Sequence, residues 1–181
     1  VGNISTAYGR TIRDLDVLIV EDNATMRLLL RTLLHNFKVR DVRQARDGED
    51  AIRQIAKQVP DVIISDWEMQ PMNGRDFLLQ LRRKDNFPIC FVPVIILTAH
   101  ASRALIQEAF DCGATHLLVK PVTPANLLHR IEWVLADERE FEEAGDIFRQ
   151  PSPLLGPASK PVTLMPNAET GETEKVWNID E

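Results

Sequence analysis

Five times along this chain a short apolar run gives way to a segment whose apolar residues recur at helical spacing, and that alternation limits the fold more than any other feature. The runs cover residues 15–20, 39–45, 62–66, 91–98 and 115–119. Each is too short for a buried helix and rich enough in Val, Ile and Leu to be a strand inside a sheet. The helical stripes between and after them are Met26, Leu29, Leu30, Leu33 and Leu34; Ala51, Ile52, Ile55, Ala56 and Val59; Phe77, Leu78 and Leu81; Leu105, Ile106, Ala109 and Phe110; and Leu127, Leu128, Ile131, Val134 and Leu135. Short connections leave room only for parallel strands joined by right-handed crossovers, with helices on both faces.

The expected architecture is therefore α/β: a flavodoxin-like, doubly wound (βα)5 sheet with strand order 2-1-3-4-5. Strands one, three and four read as the most buried. Arg40, Asp41 and Arg43 interleave the second strand, as at a sheet edge. Residues 1–13 show no periodicity and read as a leader, 14–137 as the domain, and 138–181 as an acidic, Pro-containing, flexible extension. Within that reading Asp137 to Glu143 prolongs the last helix as a solvated surface. Phe148, Leu154, Leu155 and Trp177 are isolated apolar residues of the tail.

Charge supports the division, since residues 1–136 carry 17 Lys and Arg against 16 Asp and Glu, whereas 137–181 carry 4 against 11. Neither part offers the basic face that nucleic acid or an anionic membrane would need. No apolar run approaches the ~20 residues that span a bilayer, and the first residues lack the features of a signal peptide, so a soluble, cytoplasmic protein is expected. Cys90 and Cys112 lack the spacing of a zinc or redox site and read as two reduced thiols.

The chemistry concentrates where strands end. Glu21 and Asp22 follow the first strand, Asp66 closes the third, and the proposed order makes those strands neighbours. Any one of these acids would read as a helix cap or a solvated side chain. Together they repel, and the cluster needs a proton or a cation. Carboxylates without His or Cys suit Mg²⁺, which keeps several waters and bridges to phosphoryl oxygens. Thr98 and Lys120 close the fourth and fifth strands at the same sheet edge, where an ammonium can pair with Asp66 and then with a phosphoryl group.

With these residues in place the chain resembles the receiver domain of bacterial two-component response regulators. The resemblance covers about residues 14–137 and rests on Glu21-Asp22, Asp66 with Met69, Met72 and Gly74, Thr98-Ala99, Gly113-Ala114 and Lys120-Pro121. It implies that Asp66 accepts a phosphoryl group from a histidine kinase or histidine phosphotransfer protein. It also implies that Asp22 binds Mg²⁺ directly, that Glu21 assists through water, and that the Glu68 backbone carbonyl is a further ligand. Thr98 and Lys120 would contact the phosphoryl group, and the bond before Pro121 would be cis. The surface of the fourth helix, fifth strand and fifth helix would meet a downstream protein or a second copy of the chain.

Some positions depart from the family pattern. Leu117 stands where the family usually carries an aromatic that moves with the threonine, and His116 beside it reads as a surface residue. By the resemblance Glu68 and His100 stand at the positions that flank the path of the hydrolytic water in the family, and Trp67 beside the acceptor suits shielding, a partner surface or core packing. The expected activity is that of a phosphoacceptor switch that assists its own phosphorylation and dephosphorylation, not of an enzyme with a separate substrate. A phosphorylation-independent scaffold is the alternative. A haloacid-dehalogenase-type phosphatase is a remote one, because its nucleophile belongs on the first strand and here Asp66 closes the third.

Overall fold

The computed structural model describes residues 3–152. Its order is β1 (Asp16–Val20), α1 (Ala24–Asn36), β2 (Asp41–Ala45), α2 (Gly48–Lys57), β3 (Val62–Asp66), α3 (Gly74–Leu81), β4 (Val94–Thr98), α4 (Arg103–Asp111), β5 (His116–Val119) and α5 (Pro124–Leu135), followed by β6 (Glu142–Ala144) and β7 (Ile147–Arg149). The first five strands form one parallel sheet in the order β2-β1-β3-β4-β5. Every residue of β1, β3 and β4 is buried, while β2, at the sheet edge, is exposed at Asp41, half-buried from Val42 to Gln44 and buried at Ala45.

Alternation along the strands divides the core. Val17, Ile19, Ile64 and Leu97 face Leu30, Leu34, Leu127 and Ile131 of α1 and α5. Leu18, Val20, Ile63 and Ile96 face Ala51, Phe77, Leu78 and Phe110 of α2, α3 and α4. All five helices begin on a side-chain cap: Asn23, Asp47, Asn73, Ser102 and Thr123 each accept from a backbone N–H three residues on. The caps start each helix just beyond a strand, so the strand-to-helix loops gather at the carboxyl edge of the sheet.

The region after α5 differs from the expected solvated extension. The helix stops at Leu135, and residues 142–149 form an antiparallel hairpin turning at Gly145, whose φ is +62°. Phe141 and Phe148 are buried with Cys90 and Phe91 in a third apolar cluster. The Phe91 ring centroid lies 5.2 Å from that of Phe141 and 5.0 Å from that of Phe148. Asp137, expected on the surface, is 5% exposed and is held by Arg139, whose Nη2 also reaches the Thr115 carbonyl at 3.0 Å. Burial of two phenylalanines and a satisfied ion pair explains why a segment of acidic composition is folded. Leu154, Leu155 and Trp177 lie outside the described residues.

Arg82, which follows α3 and opens the charged run Arg82-Arg83-Lys84-Asp85, is wholly buried. Its Nε donates to the Gly113 carbonyl at 2.8 Å, and its Nη1 donates to those of Cys90 and Val92 at 2.6 and 2.7 Å. Phe141 lies 4.9 Å from the guanidinium carbon. Gly113 ends α4 at φ +99°, and a Cβ there would stand 2.6 Å from Arg82 Cγ, so both backbone and packing demand glycine. Desolvation draws the Arg82 pKa down to about 9, which leaves it charged at neutral pH. The leader also differs from expectation, since Ser5 and Ala7 are buried and the Thr6 N–H donates to the Phe91 carbonyl.

Candidate functional site

Asp66 is the last residue of β3 and pairs in register with Leu97 of β4. The Trp67 backbone N–H donates to its Oδ1 at 2.9 Å, which aims the carboxylate along the carboxyl edge. Gly74 makes this loop possible. Its N–H donates to the Trp67 carbonyl at 2.9 Å, and a Cβ on it would meet the Asp66 carbonyl oxygen at 2.5 Å.

Glu21, next along the sheet after β1, is 1% exposed, whereas Asp22 is exposed. Carboxylate oxygens of Glu21, Asp22 and Asp66 all lie within 4.8 Å of one another. Lys120, beyond β5, bridges the two buried acids, with Nζ 3.0 Å from Asp66 Oδ1 and 3.1 Å from Glu21 Oε2. The Lys120–Pro121 peptide bond is cis, as are those before Pro71 and Pro88.

One ammonium against three carboxyl groups leaves a local excess of negative charge. Burial lifts the Asp66 carboxyl above the usual aspartate range, against the pull of Lys120. Burial, and then the nearby Asp66 charge, lifts Glu21, while the Asn23 N–H and Lys120 pull it back. Burial works against the Lys120 charge, but its two carboxylate partners outweigh that and hold its pKa above the usual lysine range. Three carboxyl groups whose oxygens lie within 4.8 Å of one another, with no His or Cys among them, fit a hard divalent cation.

Thr98 is fully buried at the end of β4, where its hydroxyl donates to the His100 carbonyl at 3.0 Å and accepts from the His100 N–H at 3.1 Å. The side chains of His100 and Glu68 are exposed. Trp67 is partly buried against the α2–α3–α4 side of the core, and Leu117 is buried on that same side. His116, expected on the surface, is 6% exposed; its ring centroid lies 4.5 Å from that of Trp133 in α5. Desolvation, then the Arg130 charge, draws its pKa down to about 3, so it is neutral. The structure thus brings Glu21, Asp22, Asp66 and Lys120 together, with Thr98 at the same edge, and leaves His100 and Glu68 on the loop rim.

Two contributors were not legible as site residues. Gly74 reads in the sequence as loop closure and as one of the residues that carry the family resemblance, not as a group packed against the Asp66 carbonyl. Arg27, in α1, donates from Nη1 to the backbone carbonyls of Glu21 and Asp22 at 2.7 and 2.8 Å. The one available signal is its place a helical turn beyond the acid pair.

Comparison with known proteins agrees with this geometry. The family model described as response regulator receiver domain matches residues 17–132. Chemotaxis protein CheY-3 of Vibrio cholerae serotype O1 is 32% identical over 120 residues, covering 66% of this chain and 91% of that protein. The solved structure of Vibrio cholerae chemotaxis response regulator CheY4 has a TM-score of 0.62 at 34% identity, covering 67% of this chain and 99% of that one. The receiver domain of a sensor histidine kinase from Pseudomonas aeruginosa PAO1, solved with a magnesium ion coordinated in its active-site cleft, has a TM-score of 0.62 at 24% identity and covers 68% of this chain and 99% of that one. With five parallel strands in the order 2-1-3-4-5 and an acid cluster at their carboxyl edge, the chain belongs to the CheY-like response regulator receiver domains of two-component systems.

Proposed function

We propose that Asp66 is the phosphoacceptor of a phosphorelay and that its phosphorylation switches protein–protein contacts. The observation that carries this reading is Lys120 bridging Asp66 and Glu21, with Asp22 beside them, at the carboxyl edge of the sheet. An Asp66 carboxylate oxygen attacks the phosphorus of a phosphohistidine; the new O–P bond forms as the P–N bond breaks, and the imidazole leaves. Lys120 turns from the carboxylates to the incoming phosphoryl oxygens, and its elevated pKa keeps it charged through the transfer. Asp22, Asp66 and the Glu68 carbonyl, with Glu21 behind them, would hold Mg²⁺, which when bound neutralises charge between acceptor and phosphoryl oxygens. The magnesium in the cleft of the Pseudomonas receiver supports that assignment.

Thr98 couples the site to the surface. Its hydroxyl is engaged with His100, so donating to a phosphoryl oxygen breaks the contact to the His100 carbonyl and frees the β4–α4 loop. The α4–β5–α5 face lies directly beyond that loop and is the surface we assign to a downstream protein or a second copy. A histidine kinase or phosphotransfer protein is the donor. Leu117, in place of the family's usual aromatic, favours as a second reading a scaffold that works without phosphorylation.

Intact mass after incubation with acetyl phosphate, with and without Mg²⁺, separates the two. One phosphoryl group per chain that requires both Mg²⁺ and Asp66, and is lost in Asp66→Asn, is expected. Absence of modification by acetyl phosphate and by a cognate phosphohistidine, with Mg²⁺ bound, would leave the scaffold.

A further inference from the structure

The acid pair sits on a loop, and a loop holds a ligand geometry only if something holds the loop. Beyond β1 the Glu21 N–H is tied to the Ala45 carbonyl, and the Asn23 N–H donates to Glu21 Oε1 at 3.1 Å. Neither contact engages the carbonyl oxygens of Glu21 and Asp22. Arg27 does, from a single Nη1, at 2.7 and 2.8 Å.

Among the described residues Arg27 has no ion pair, although it sits on the backbone of two of the three acids. Its own backbone N–H is bonded to the Asn23 carbonyl at 3.0 Å, so its base is set by the first turn of α1. That turn is in turn pinned by the Asn23 cap. The guanidinium therefore carries the rigidity of α1 into the one part of the site that no strand supports. Asp22 is the acid that most needs this: it is exposed, its carboxylate accepts no hydrogen bond among the described residues, and its direction is set by its backbone.

We infer that Arg27 is a positioning residue for the divalent-cation site, fixing the direction of the Asp22 carboxylate by clamping the two carbonyls of the Glu21–Asp22 loop. The inference rests on the cation assignment above. It opposes what charge alone would do, because a guanidinium near a cation site weakens cation binding, whereas a clamp strengthens it. Groups that orient metal ligands from behind commonly account for 10–100-fold in metal affinity.

The test is Mg²⁺ titration by calorimetry, without phosphodonor, on the full chain and on Arg27→Ala, Arg27→Lys and Asp22→Asn. About a tenfold weakening in Arg27→Ala is expected, with a smaller loss in Arg27→Lys, which keeps a cation and one donor point. The melting temperature without Mg²⁺ should be nearly unchanged in Arg27→Ala, while the rise in melting temperature on adding Mg²⁺ shrinks. Unchanged or tighter Mg²⁺ binding in Arg27→Ala, with Asp22→Asn binding lost, overturns the role of Arg27 and leaves the site intact. Wild-type binding in Asp22→Asn overturns the cation assignment itself.

Discussion

Asp66 and Glu21 are held in a state of electrostatic tension that their sequence neighbours do not betray. Both carboxyls have pKa values raised in the folded protein, chiefly by burial. Between the unfolded and folded pKa values the native state binds more protons than the unfolded chain, so stability falls as pH rises through that window and stays lower above it. Asp66→Asn removes one buried charge while Lys120 keeps its Glu21 partner 3.1 Å away. Its melting temperature at pH 7 should exceed the parent's by a few degrees, the scale on which a chain this size answers about 1 kcal/mol. The difference should close as pH falls below about 4, where the unfolded-chain carboxylates are protonated; melting curves across pH check both. At this scale the candidate site was legible where chemistry follows strand ends: Glu21, Asp22, Asp66, Thr98 and Lys120 each terminate or follow an apolar run. Arg27, Arg82 and His116 were not. An arginine normally stays in water, and nothing local announces that three carbonyls from residues 90, 92 and 113 will close around Arg82. His116 is hidden by Trp133, seventeen residues on, a contact made only when α5 packs back onto β5.

The five strand–helix units were legible for a physical reason, since period-2 burial in strands and capped, amphipathic helices are written locally. Strand lengths were overestimated where apolar residues belong to approach turns: Phe91 lies in a 3₁₀ turn before β4, and Val39 and Arg40 precede β2. The hairpin β6–β7 was missed because its strands are three residues long, too short to show a period, and its two phenylalanines stand among acids. Its stability comes from what it covers. The Phe148 N–H donates to the Arg82 carbonyl and the Lys84 N–H to that of Asp146, so the hairpin is stitched to the end of α3 on both sides. Phe148→Ala would open a cavity over Phe91 and cost about 3 kcal/mol, at the lower end for a buried phenylalanine because this cluster is peripheral. A urea melt should show the midpoint fall with little change in slope. An unchanged midpoint would mean that the hairpin rests on the domain without contributing to its core.

In the molecule as a whole, the two edges of the parallel sheet have separate duties. The carboxyl edge collects Asp66, Glu21, Asp22, Thr98 and Lys120, while the amino edge is sealed by the leader, Arg82 and the segment from Asp137 to Gln150. A chain ending after Ser152 retains all the described residues that follow α5 and is the reference for truncation. One ending after Asp137 keeps all five sheet strands yet loses Phe141, Phe148 and Arg139, and it should melt several degrees lower and bind a dye for exposed apolar surface. Equal melting of the two would remove the amino-edge seal from the account. The same arrangement sets an order of events on the ribosome. Synthesis completes the acceptor edge first, and a nascent chain that has released Lys120 already holds every strand of the parallel sheet. Cys90 and Phe91 stay wet, and the Arg82 guanidinium lacks its Phe141 face, until the last described hairpin emerges. Completion of the amino edge is thus the final act of folding for the described chain, and a translational stall before residue 141 yields a protein with its acid cluster encoded but its far side open.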